Sequence, residues 1–232
     1  MESIIRVIIP AFNEENAVGK VINEIPSNVS EIIVVNNNSN DKTKIVAKEA
    51  GATVLDEPIQ GYGRACLKGI KYVEDLNSKT DIIVFLDADY SDFPDELTQV
   101  IAPIIENNYD LVIGSRKTGD RAKKSMTPQQ VFGNWLATFL IRVLYKVDFT
   151  DLGPFRAITW DKLQQLNMQD KTYGWTVEMQ VKAAKKKYKI TEVPVNYKVR
   201  IGKSKVSGTV KGTILAGYKI IITIFKELFS SK

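Results

Sequence analysis

Residues 82–86, Ile-Ile-Val-Phe-Leu, constrain this chain more than any other stretch. Five consecutive apolar residues, most of them β-branched, fit a strand covered on both faces of a sheet. Such a strand needs helices on either side, so the fold class is α/β. The run ends in Asp87-Ala88-Asp89. In an open α/β sheet, ligands bind beyond the carboxyl ends of the strands, which places both acids at the ligand crevice. Two carboxylates at i and i+2 suit one hard cation, with coordination positions left for diphosphate oxygens. They equally suit a plainer arrangement, one acid capping the next helix and the other solvated.

The same grammar recurs before and after that strand. Residues 4–9 form an apolar run stopped by Pro10, followed by a helical pattern through Val18, Val21, Ile22 and Ile25. Residues 31–35 run into the polar loop 36–41, then a helix carrying Ile45, Val46 and Ala50 that Gly51 ends. A short strand over 52–55 precedes Gly61-Tyr62-Gly63-Arg64-Ala65, which opens a helix through Leu67, Ile70 and Val73. Pro94 begins a helix over 95–107, and the next strand, 109–114, ends in Gly114-Ser115-Arg116. Strands alternating with helices at this spacing predict a doubly wound, mostly parallel sheet. Right-handed crossovers then gather Phe12-Asn13-Glu14, the 36–41 loop, Asp87-Ala88-Asp89 and Ser115-Arg116 along one edge.

The second half reads differently. Residues 119–127 are polar and basic without periodicity, a mobile loop. Residues 131–147 form a strongly apolar helix around Phe132, Trp135, Phe139 and Leu144, with Arg142 and Lys146 interspersed. A turn-rich link over 151–156 follows. A helix over 175–187 contains Glu178, and 191–199 alternates like an edge strand interrupted by Pro194. Residues 209–229 are apolar but broken by Lys211, Lys219 and Lys226, so no uncharged stretch reaches the ~20 residues of a bilayer span. An amphipathic helix of this kind suits a membrane surface, a dimer contact, or packing on its own domain. The predicted division is a catalytic domain over 1–206 and an amphipathic helix over 207–232.

Composition narrows the function. The 232-residue chain has no histidine, which removes the commonest general base and the commonest transition-metal ligand together. Cys66 is its single cysteine, so an intrachain disulfide is excluded and a reducing compartment is expected. Residues 4–9 are too short for a signal peptide and read as a first strand. The formal charge of +5 is concentrated between 182 and 211, where Glu192 alone opposes a run of lysines and arginine. That run suits anionic lipid or phosphate. A nucleic-acid role is not expected, because the apolar residues beside it are aliphatic and offer no stacking set. A sugar nucleotidyltransferase would want a glycine-rich, basic loop after the first strand, and Pro10-Ala11-Phe12-Asn13-Glu14 is not one.

Taken together, several segments resemble the family 2 glycosyltransferases of GT-A fold, and among them the dolichol-phosphate mannose synthase-like branch. They are residues 7–15 (Val-Ile-Ile-Pro-Ala-Phe-Asn-Glu-Glu), 34–39, 61–65, Asp87-Ala88-Asp89, Gly114-Ser115-Arg116, Gly153-Pro154-Phe155-Arg156, and 200–205 (Arg-Ile-Gly-Lys-Ser-Lys). The resemblance implies transfer of a hexose from a nucleoside-diphosphate sugar, with inversion, to a polyprenyl phosphate at the cytoplasmic face of a membrane. It also implies a Rossmann-like sheet and one Mg²⁺ or Mn²⁺.

On that reading Pro10 and Phe12 offer a flat apolar surface to the nucleobase, and Glu14 an acceptor for ribose hydroxyls; strand termination and core packing would serve the first two equally. Asn36 and Asn37 stand in the base-reading loop, and Gly61 and Gly63 let backbone approach the donor. Asp87, Ala88 and Asp89 face the diphosphate, with Asp87 and Asp89 holding the cation that neutralises the leaving group. Arg116, Arg200 and Lys205 supply further positive charge to the leaving group or to the acceptor phosphate. A phosphate acceptor is already ionised near neutral pH and needs no base, which agrees with the missing histidine. A hydroxyl acceptor would need one, with Glu178 the first candidate and Asp151 the second. A silent nucleotide-sugar binder is a further alternative. The family's loop with paired Asp is Asn36-Asn37 here, and Ser91 stands where mannose synthases of the branch often have Gln, so base and sugar stay open.

Overall fold

Alternate residues of the central strand part to opposite faces. Ile82, Val84 and Leu86 pack into one buried cluster, Ile83 and Phe85 into the other, and all five are essentially inaccessible. The computed structural model describes residues 3–76, 78–202 and 210–230. Its strands are β1 (Ile5–Ala11), β2 (Glu31–Asn36), β3 (Thr53–Asp56), β4 (Ile82–Phe85), β5 (Leu111–Ser115), β6 (Arg156–Thr159) and β7 (Ile190–Pro194). Its helices are α1 (Val18–Glu24), α2 (Thr43–Glu49), α3 (Tyr62–Asp75), α4 (Leu97–Asn107), α5 (Pro128–Tyr145), α6 (Trp160–Leu166), α7 (Trp175–Lys185) and α8 (Val210–Phe229). A 3₁₀ turn at Pro94–Glu96 leads into α4.

The strands form one sheet in the order β3-β2-β1-β4-β6-β5-β7. β1 pairs in parallel with β2 and β4, β2 with β3, and β5 with β7. β6 runs antiparallel to both β4 and β5 and separates them. The sheet is therefore the expected mixed α/β core, with one reversed strand that the 151–156 link concealed. β6 is only Arg-Ala-Ile-Thr, and an arginine at its head breaks any apolar run. That Arg156 is fully buried, its guanidinium donating to the carbonyls of Leu152, Gly153 and Thr176. Burial pushes it down to about 10, so it stays charged near neutral pH and ties the Gly153-Pro154 turn to α7.

Three other expectations are corrected. β7 stops at Pro194, because proline cannot continue the ladder; the chain then runs beside Asp92 and Arg121 through single bridges from Tyr197. Those bridges, with Ala122 N–H donating to the Tyr197 carbonyl at 2.8 Å, also tie down the irregular 119–127 stretch. Helix α5 begins earlier than its apolar pattern, at Pro128. Thr127 and Gln130 form a reciprocal capping box there.

Helix α8 packs on the domain along one stripe. Ile224 is fully buried, the Tyr145 hydroxyl donates to its carbonyl, and Lys185 Nζ bonds the carbonyls of Glu227 and Ser230 at the C-terminal end. Its other face is open, with Ile214, Tyr218 and Phe229 each more than 60% exposed.

Candidate active site

The carboxyl ends of β1, β2 and β4 enclose a cavity of about 260 Å³ lined by Pro10, Phe12, Glu14, Asn37, Gly61, Asp87, Ala88, Asp89 and Arg200. Ala11, Gln60, Tyr62 and Tyr173 complete its wall. A second cavity of about 320 Å³ shares Tyr62, Asp87, Asp89, Tyr173 and Arg200 with it. The second continues past Arg116 and Tyr197 to Gly133 on α5 and Gly217 on α8. The two acids and Arg200 thus stand on the boundary between two compartments.

Asp87 is held from beneath. Trp175, fully buried, packs edge-on against Phe85 with centroids 4.5 Å apart and against Tyr62 at 6.1 Å. Tyr62 then donates its hydroxyl to Asp87 Oδ1 at 3.1 Å. Burial, followed by the charge of Asp89, pushes the Asp87 carboxyl up to about 7. Asp89 accepts from the Ser91 N–H at 2.9 Å and from the Ser91 hydroxyl on Oδ1, leaving Oδ2 to Arg200 Nη1 at 2.9 Å. Arg200 Nη2 reaches Glu14 Oε1 at 2.5 Å. Ser91, whose departure from Gln left the sugar open, orients the second acid here.

A divalent cation fits this pair. Burial and, after it, repulsion from Asp89 disfavour the charged form of Asp87, and a cation would relieve both; Asp89 already binds a positive group in the guanidinium of Arg200. Among the described residues no group of three or more acids, cysteines or histidines is arranged around a metal. Remaining ligands would therefore come from bound nucleotide and water, the pattern expected of a Mg²⁺-type site.

The other predicted residues sort differently. Asn36 does not line the cavity: its amide donates to Asp56 and accepts from the Ser39 N–H. Asn37 lines it but is committed, donating to the Glu57 and Ile59 carbonyls and accepting from the Gly61 N–H at 2.8 Å. The pair shapes the loop before α3. Gly63 faces protein backbone: a Cβ there would lie 2.0 Å from the Asp170 carbonyl oxygen. Its missing side chain lets the 170–172 loop press onto the start of α3, where Gly63 and Arg64 donate to Thr172 and Lys171.

Arg116 is locked. Its Nε and Nη2 each lie 2.7 Å from an oxygen of Asp151, and its own N–H adds a third bond. Burial alone would raise the Asp151 carboxyl, yet Arg116 overrides it and holds it below the usual range. The guanidinium also stacks on Tyr197, 5.0 Å from the ring centroid. Asp151 is thereby occupied as well. Glu178 stands outside both compartments. Buried in α7, it accepts from the Gln169 and Asp170 N–H groups and pairs with Lys182 at 2.7 Å. It clamps the loop that presses on α3. Lys205 lies outside the described residues. Sequence reasoning missed Tyr62, Tyr173 and Tyr197 as site residues. The signal was an aromatic set among glycines and polar residues, where no core period asks for one.

A mostly parallel sheet of this order, with paired carboxylates at its carboxyl edge, is the GT-A arrangement. Glucosyl-3-phosphoglycerate synthase of Mycobacterium tuberculosis superposes with a TM-score of 0.76 at 19% identity, covering 99% of this chain and 80% of that one. The model described as Glycosyl transferase family 2 matches residues 6–166, and the chain belongs to that family. An uncharacterised glycosyltransferase of M. tuberculosis is 32% identical over 213 residues, 91% of this chain and 94% of the relative. The UDP-N-acetylglucosamine–dolichyl-phosphate N-acetylglucosaminyltransferase of Methanococcus voltae is 30% identical over 242 residues, 94% of each chain. Undecaprenyl-phosphate mannosyltransferase of Micrococcus luteus is 28% identical over 220 residues, 88% of each. These relatives support the dolichol-phosphate mannose synthase-like branch within the family.

Proposed function

We propose that this glycosyltransferase moves a hexose, with inversion, from a UDP- or GDP-sugar to a polyprenyl phosphate, using one Mg²⁺ or Mn²⁺ at the cytoplasmic face of a membrane. The observation that carries it is the continuity of cavities. The compartment beyond Asp89 shares Gln129, Gly133, Gly217 and Ile220 with a groove of about 490 Å³ between α5 and α8. Phe132, Leu136, Ala137 and Ile221 make that groove apolar. A phosphate placed near Arg200 and Arg116 would lead its hydrocarbon chain into the groove, away from the donor. The acids facing the inner compartment are Asp87 and Asp89, so no carboxylate stands ready as a base there among the described residues. A phosphate oxygen needs none. It attacks the anomeric carbon opposite the diphosphate, the carbon–oxygen bond to the diphosphate breaks, and its electron pair leaves on that oxygen. A cation held by Asp87 and Asp89 would neutralise the leaving group. The names of the dolichyl- and undecaprenyl-phosphate relatives support the acceptor, and the Mn²⁺, Mg²⁺ and UDP in structures of this fold support the donor side.

Membrane contact falls to α5. Phe132, Trp135 and Phe139 project from one face, their successive ring centroids 5.8 Å apart, and are between 39% and 60% exposed. Arg142 lies over Phe139, and Lys117 and Arg121 border the cavity below Trp135. Aromatic rings flanked by cations suit a helix lying in an anionic interface. No described helix is long and apolar enough to cross a membrane. The buried free thiol of Cys66 suits the reducing side.

The test is nucleotide release from UDP- and GDP-sugars with Mg²⁺ or Mn²⁺, with and without a short polyprenyl phosphate. Release that needs both lipid phosphate and cation is expected. Release with a hydroxyl acceptor alone would overturn the reading.

A further inference from the structure

Arg200 occupies an unusual position for a residue assigned to the leaving group. It bridges Glu14, set to receive ribose, and Asp89, set to receive the cation, at 2.5 and 2.9 Å. Its Nε is buried and has no acceptor among the described residues, so one N–H of the guanidinium awaits a partner. The backbone beside it is zipped to the acids: Ile201 N–H donates to the Asp89 carbonyl at 3.0 Å and Lys198 N–H to the Ser91 carbonyl at 2.8 Å. Gly202 follows with φ +79, a residue able to turn where others are strained.

We propose that Arg200 is the counter-ion of Asp89 and Glu14 until ligands claim those acids, so that cation and nucleotide load together. The proposal rests on the reading of Asp87 and Asp89 as the cation site. A divalent ion arriving alone meets a guanidinium already paired with Asp89 and must either displace it or bind beside a like charge, and both weaken binding. A nucleoside diphosphate changes that balance. Its phosphate oxygens offer acceptors for the Nη groups and for the orphaned Nε, while its ribose takes over Glu14. The guanidinium then transfers from the two carboxylates to the diphosphate, and Asp89 is released to the ion. Arg200 therefore disfavours a metal-only site in the resting protein and stabilises the charged leaving group in the loaded one. The two roles predict opposite signs for one substitution.

The test is Mn²⁺ binding to the full-length protein, read by electron paramagnetic resonance, with and without UDP or GDP. Arg200→Met should bind Mn²⁺ without nucleotide about tenfold more tightly than the parent, a change of the size that one nearby charge exerts. The gain in Mn²⁺ affinity on adding nucleotide should shrink by a similar factor, while turnover falls. Arg200→Lys, which keeps the charge but loses the fork, should retain weak metal-only binding, and melting temperatures verify that both variants fold. Equal or weaker Mn²⁺ binding by Arg200→Met overturns the proposal and leaves the cation site standing. No Mn²⁺ binding by any of the proteins even with nucleotide overturns the cation site itself, and the proposal with it.

Discussion

The two arginine-bearing flanks of the site are built on opposite principles. On the flank proposed for the acceptor Arg116 is closed within the protein: three bonds to Asp151, a tyrosine ring beneath its guanidinium, and less than a tenth of its surface exposed. On the flank proposed for the donor Arg200 is shared between two acids that the proposed ligands would claim, with one N–H unmatched among the described residues. One charge is spent on the fold and the other is held in reserve. Formal charge is therefore a poor guide to which basic residue meets a ligand; the number of internal partners is a better one.

Four experiments would break or sharpen that contrast. The largest effect is expected from Asp89→Ala, which removes one of the two acids common to both compartments: turnover should fall about a thousandfold, equivalent to ~4 kcal/mol in the barrier, with vesicle binding unchanged. Next comes Arg116→Met. It leaves Asp151 buried without its counter-charge and should cost ~3–5 kcal/mol of stability in urea unfolding, where Arg200→Met should cost under ~1. Cation binding should then weaken by roughly tenfold for each pH unit below about 7, because Asp87, raised to about 7, must lose its proton to serve as a ligand. Flat Mn²⁺ affinity between pH 5.5 and 7.5 would remove Asp87 from the cation site. Smallest, Gly217→Leu should raise the KM for the lipid phosphate several-fold and leave nucleotide binding alone. A Cβ placed at Gly217 meets nothing within 4 Å among the described residues, so the backbone there accepts a side chain that would narrow the passage. An unchanged KM would mean that the acceptor does not pass between α5 and α8.

The donor flank was largely legible in the sequence because its parts are local. Each strand end carries its own polar signal, and the crossover rule brings the ends together, so Glu14, Asp87 and Asp89 meet as expected. The acceptor flank was less so. Asp151 meets Arg116 only because β6 turns back between β4 and β5, and four residues headed by an arginine give no strand signal. Glu178 has the composition of a base, yet its helix points it at the N–H groups of 169–170, a partnership set by a loop that no period predicts. The glycines at 61 and 63 signalled a close approach correctly but not its object. At Gly63 that object is the chain's own Asp170, whose side chain in turn pairs with Lys219 of α8 at 2.9 Å.

That last contact changes what kind of part α8 is. A sequence boundary near residue 207 suggests a detachable anchor, something to be shortened or exchanged for a membrane span. A helix that fills the core with Ile224, ties its C-terminal end to Lys185 and braces the loop against α3 through Lys219 cannot be removed as a module. A change that gave this fold a membrane-spanning segment would have to leave α8 in place, because the core and the loop before α7 both lean on it.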